Sequence, residues 1–186
     1  SRDIQGHREE YQYQWRLWEE TIRFHQEALL HSSEAGEARA WLRQQGIDRE
    51  TWQNFEIGYA LRSRTSMLRA SLLERGLLAH NSKESWDALE GCAQDALMLP
   101  ITDWRGHYWG CLRQPLQDFP GGRGSGMEVI REISPRRLRR LVFEPPGRSD
   151  VCPRSSILLT QDAWDVVALY NAGIRDIGYW LPNPSP

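Results

Sequence analysis

The sequence predicts an α/β fold with a helical amino-terminal unit, a small mixed sheet containing a hairpin, and a closing strand–helix–strand unit. Three observations predict it. Residues 1–80 carry apolar side chains at spacings near three and four, which is typical of amphipathic helices. Residues 96–113 change to short apolar runs on either side of a turn sequence. Residues 157–180 then read as strand, helix and strand, which begins a parallel sheet.

The spacing predicts helices over residues 1–31 and 65–76. A further helix is expected between these two. Ser32 and Ser33 can cap its start, and Gly46 suits the left-handed conformation at its end. Asp48 can cap a short helix that follows. His25 lies on a predicted amphipathic helix, so we expect a packing or surface residue.

The sheet is expected to begin at residues 96–101, a short apolar run typical of a buried strand. Residues 103–106 have a turn composition, and residues 107–113 read as the returning strand of a hairpin. The glycine-rich residues 118–126 read as a linker, and residues 127–130 as another strand. Trp104, Tyr108 and Trp109 near the hairpin either pack in the core or stack on single-stranded bases.

A proline-rich stretch at residues 145–155 predicts a boundary between residues 1–150 and residues 151–186. The first part divides into a helical region, 1–80, and a hairpin and basic region, 81–150. In the second part, residues 157–160 predict a buried strand and residues 163–172 a helix that ends at Gly173. Residues 174–180 predict a second strand.

The charge of the chain is concentrated locally. The net charge is −2, so any nucleic-acid contact must come from a basic patch. Such a patch occurs in residues 131–140, where Glu132 is the only acid; its arginines are Arg131, Arg136, Arg137, Arg139 and Arg140. This run is either a solvated face or a nucleic-acid contact.

The cysteines and the hydropathy exclude several classes of protein. Cys92, Cys111 and Cys152 form no C-x-x-C pair, so neither a zinc ribbon nor a disulfide framework is expected. An odd and small number of cysteines is typical of proteins in a reducing cytoplasm. No apolar run approaches the roughly 18 residues that would span a membrane. A cytoplasmic protein without zinc and without a membrane partner is expected.

Three segments in order resemble DnaG-type bacterial DNA primases. The first comprises residues 24–30, 38–47 and 55–60, similar to the helical opening of that family's polymerase core and its Leu-Gly-Tyr-Ala ending. The second is residues 97–106, similar to the family's Met-Phe-Pro-Ile strand and Asp-x-Arg-Gly turn. The third is residues 157–174, which resembles the Val-Val-Glu-Gly-Tyr-Met-Asp strand and the helix after it. The resemblance implies a polymerase subdomain followed by the first half of a TOPRIM domain.

The resemblance also implies site residues. The family's catalytic glutamate falls on Gln161, and a family aspartate on Asp165, while Asp162 replaces a glycine. Asp162 and Asp165 would hold Mg²⁺ if the site works, because magnesium prefers anionic oxygen ligands. Either Asp162 stands in for the glutamate, or the site has decayed and Asp162 is a surface or helix-capping residue; the second is preferred. Arg113 is the remaining phosphate-contact candidate of the family's arginines.

The sequence contains no Asp-x-Asp motif, and the resemblance leaves the family's zinc module and helicase-binding tail unmatched. The favoured hypothesis is a primase-like replication module that binds single-stranded nucleic acid, single-stranded DNA above all, or a partner such as the replicative helicase, with primer synthesis lost. The alternatives are a fragment of an active DNA primase and a protein-interaction scaffold.

Overall fold

The computed structural model describes residues 2–78, 95–102, 106–115, 128–130, 142–143, 145, 158–160 and 162–180. In chain order the elements are α1 (Arg2–His31), a 3-10 turn (Ser33–Ala35), α2 (Gly36–Gln44), α3 (Arg49–Asn54), β1 (Gly58–Ala60), a second 3-10 turn (Arg62–Arg64), α4 (Thr65–Glu74), β2 (Ala96–Thr102), β3 (Tyr108–Pro115), β4 (Glu128–Ile130), β5 (Val142–Phe143), β6 (Leu158–Thr160), α5 (Ala163–Asn171) and β7 (Ile177–Trp180). The predicted α/β class is confirmed.

The helix ends follow the capping residues that the sequence indicated. The Ser32 hydroxyl accepts a hydrogen bond from the Glu34 amide, and the Asp48 carboxylate accepts one from the Thr51 amide at 2.7 Å. These side chains satisfy amides that have no partner inside a helix. Gly46 has a φ of 74°, the left-handed conformation predicted for the end of α2.

The first sheet is antiparallel throughout its described strands, in the order β1-β2-β3-β4. The predicted hairpin is present as β2 paired with β3, although residues 103–105 of its turn lie outside the described residues. The sequence did not predict a strand at residues 58–60, yet these residues pair with residues 96–98 along the edge of β2 opposite to β3. Sequence patterning missed β1 because three residues are too few to show a period.

The first sheet has apolar clusters on both faces. Leu97, Leu99 and Ile101 belong to the main core, whereas Met98 packs in a second cluster with Trp18 of α1. Successive strand residues point to opposite faces, so a strand covered on both sides reads as an uninterrupted apolar run. That is why residues 96–101 are a recognisable buried strand in the sequence.

The second sheet has the order β5-β7-β6, with β6 parallel to β7 and α5 connecting them. The predicted strand–helix–strand unit is therefore confirmed, although its second strand begins at Ile177 rather than at residue 174. The prediction that residues 157–160 are buried was wrong for the described part. Leu158 and Leu159 are 51% and 52% exposed. Consecutive strand residues point to opposite faces, so both faces of β6 are partly open at this position.

One hydrophobic cluster joins the helical unit, the first sheet and α5. Ala163, Val166 and Val167 of α5 are fully buried in it together with residues of α2, α3 and β2. Residues 146–157, where the domain boundary was predicted, lie outside the described residues. The position of α5 is thus determined by packing against the amino-terminal helices as well as by its own sheet.

Within the described part of the chain, no helix has the length and apolar character needed to cross a membrane.

Candidate functional site

The turn between β6 and α5 carries the candidate catalytic residues. The Thr160 hydroxyl donates to the backbone carbonyl of Asp162 at 2.8 Å and so ties the two ends of this turn together. The Asp162 carboxylate accepts a hydrogen bond from the Asp165 amide at 2.9 Å and caps α5. Gln161 itself lies outside the described residues, but both of its neighbours hold defined positions.

Asp162 is the N-cap of α5, which is one of the two roles that the sequence left open for it. Its carboxylate also raises the pKa of Tyr179 on β7, after the larger effect of burial of that phenol. Asp165, in the first turn of α5, is exposed. Both carboxylates lie at the positive end of the helix dipole, where negative charge is favoured.

The described residues contain no group of three or more His, Cys, Asp or Glu side chains placed to hold a metal ion. Asp162 and Asp165 are two carboxylates, and one Asp162 oxygen already accepts the Asp165 amide. Magnesium usually takes one or two protein carboxylates and completes an octahedron with water and phosphate oxygens. The described donor set therefore does not by itself form a magnesium cage.

Arg113, the predicted phosphate contact, lies in β3 opposite Met98 on one side and Glu128 on the other. Its side chain is 6% exposed. A guanidinium this deep in a sheet has little surface to offer a ligand, and burying a charge is costly unless it is compensated. The other predicted nucleic-acid contacts lie outside the described residues: Arg131, Arg136, Arg137, Arg139 and Arg140.

Asn171, which the sequence did not single out, fixes the far end of α5. Its amide oxygen accepts hydrogen bonds from the Asp48 amide at 2.9 Å and the Thr51 hydroxyl at 2.8 Å. Its amide nitrogen donates to the Gly46 carbonyl at 3.1 Å. These bonds join residues more than 100 positions apart, so no local pattern could indicate them.

Aromatic contacts also hold both ends of α5 against the helical unit. Trp164 packs edge-to-face on Trp41 of α2, and Tyr170 packs in the same way on Phe55, each with ring centroids 5.0 Å apart. Such pairs contribute about 0.5–1.5 kcal/mol beyond the area that they bury. The segment that carries Asp162 is therefore held rigidly against the helical unit.

The aromatic residues of the hairpin are partly engaged in the fold. The Tyr108 hydroxyl donates to a Glu56 carboxylate oxygen at 2.8 Å, and burial followed by this bond raises the pKa of Tyr108. His107 stacks on Trp15 of α1 with ring centroids 3.8 Å apart. Tyr108 thus follows the core-packing interpretation; Trp104 and the Trp109 side chain lie outside the described residues.

His25 confirms its expected packing role. It is 3% exposed, and burial lowers its pKa to about 4, with a smaller opposing effect from the Tyr59 backbone. Neither ring nitrogen has a partner within strict hydrogen-bond geometry among the described residues. A neutral, buried imidazole is a structural residue and no candidate for acid–base chemistry near pH 7.

Residues 24–111 match the family model described as the DNA primase catalytic core, N-terminal domain. The chain also superposes on solved primase structures. The chain has the fold of a DnaG primase catalytic core. The resemblance to DnaG-type primases is thereby confirmed; the family model covers the first two of the three sequence segments on which it was drawn.

Three solved structures illustrate the match to the primase core. The RNA polymerase domain of Mycobacterium tuberculosis primase DnaG, in complex with double-stranded DNA carrying a 6-nucleotide overhang, gives a TM-score of 0.68 at 18% identity, covering 94% of this chain and 56% of that one. A DnaG primase catalytic domain bound to single-stranded DNA gives 0.62 at 23% identity, covering 94% and 55%. The E. coli primase catalytic core gives 0.59 at 23% identity, covering 91% and 55%.

The chain therefore spans just over half the length of the primase structures that it matches. A comparison with curated proteins finds no match. At these sequence identities, the likeness establishes the primase-core fold. A shared fold does not by itself establish the activity of the candidate site.

Proposed function

We propose that this chain is a DnaG-primase-like replication module that binds single-stranded nucleic acid and has lost primer-synthesis chemistry. The observation that carries the proposal is the primase-core match over residues 24–111, together with a fold likeness that extends over 94% of the chain. Of the three primase structures reported above, two are complexes with DNA, one of them single-stranded. Single-stranded DNA is accordingly the proposed ligand.

The arginine composition supports a phosphate-binding role. Residues 131–140 carry five arginines against one acid, although the whole chain has a net charge of −2. Arginine binds phosphate oxygens through a planar fork of N–H donors, and such contacts make affinity depend steeply on salt. We place the main contact in this segment rather than at the buried Arg113.

The β6–α5 turn supports the loss of chemistry. Phosphoryl transfer needs divalent metals that neutralise developing charge. Gln161 supplies no charge where the family has a glutamate, and Asp162 directs one carboxylate oxygen at the Asp165 amide. A TOPRIM-like site built on this turn would hold magnesium weakly.

Binding is tested by fluorescence anisotropy with a labelled single-stranded oligonucleotide between 50 and 200 mM salt. We expect log affinity to fall linearly with log salt concentration, with a slope of about −0.7 for each phosphate neutralised. Replacing Arg136, Arg137, Arg139 and Arg140 together by alanine should reduce that slope. A slope near zero in the wild-type chain would favour the scaffold hypothesis instead.

The loss of chemistry is tested by template-directed ribonucleotide incorporation with magnesium. We expect none from this chain, and incorporation would refute this half of the proposal. An active primase fragment, in which Asp162 and Asp165 hold the metal, is the second candidate because both carboxylates lie in one helical turn. Asp162→Ser keeps a helix cap but removes the carboxylate. Under our proposal this variant binds oligonucleotide as the wild type does.

A further inference from the structure

We draw no further inference here: the strongest candidate, the exposed apolar surface that Leu158 and Leu159 form on β6 of the second sheet, carries none, because nothing in the described residues shows what covers it.

Discussion

Replacing Gly58 by alanine probes the closest approach between the first sheet and α1. A β-carbon built at residue 58 would lie 2.6 Å from the His25 Cβ, 2.9 Å from the His25 carbonyl carbon and 3.0 Å from the Gln26 amide nitrogen. Carbon atoms in contact normally lie about 3.5–4.0 Å apart, so the two segments would have to separate by roughly 1 Å.

Neither segment can move cheaply to accommodate that carbon. Gly58 pairs with Met98 in the sheet, and α1 is anchored by the fully buried Trp18 and Leu29 on either side of His25. Overpacking of this kind typically costs about 1–3 kcal/mol. We therefore expect Gly58→Ala to lower the free energy of unfolding by about 2 kcal/mol, which for a chain of this size is a fall in Tm of roughly 4–8 °C.

Urea unfolding followed by circular dichroism measures this change, and Gly36→Ala provides the control. Gly36 begins α2 with helical dihedral angles, and an added β-carbon there would have no neighbour within 4 Å. Alanine at Gly36 should leave stability unchanged or raise it by up to about 1 kcal/mol. Equal stability of Gly58→Ala and the wild type would refute the argument that this approach requires glycine.

Three further predictions concern the side chains of His25, Asn171 and Tyr108. The folded-state pKa of His25, about 4, lies below the unfolded value of 6.5. Its contribution to the free energy of unfolding, about 3 kcal/mol, is therefore fully present above pH 6.5 and is lost as the pH falls towards 4. His25→Leu should flatten the dependence of stability on pH between these values, and an unchanged dependence would show that other groups cause the loss of stability in acid. Asn171→Ala removes three hydrogen bonds between α5 and the helical unit. It should lower the free energy of unfolding, measured by urea titration, by about 1–3 kcal/mol. A loss below about 0.5 kcal/mol would show that apolar contacts alone hold α5 in place. Tyr108→Phe leaves the Glu56 carboxylate without its donor and should cost about 1 kcal/mol, with Glu56→Gln/Tyr108→Phe closing a double-mutant cycle whose coupling should differ from zero.

The elements with a long period or a capping signal could be predicted from the sequence. The helices of residues 1–80, the hairpin strands and the strand–helix–strand unit all follow from patterns that repeat within one element. Capping by Asp48 and the left-handed Gly46 are equally local, since each depends on dihedral angles within a few residues. The three primase-like segments were also sufficient to indicate the family fold.

The tertiary structure decided what depends on distant neighbours. The burial of Arg113 in β3 and the exposure of Leu158 and Leu159 in β6 depend on which other elements pack against these strands. The adjoining residues in the sequence do not indicate either outcome. The bonds of Asn171 and the closeness of Gly58 to His25 join segments far apart in the chain. Local sequence determines dihedral preferences and apolar period, whereas burial, pKa and shared contacts arise only when separate elements pack against one another.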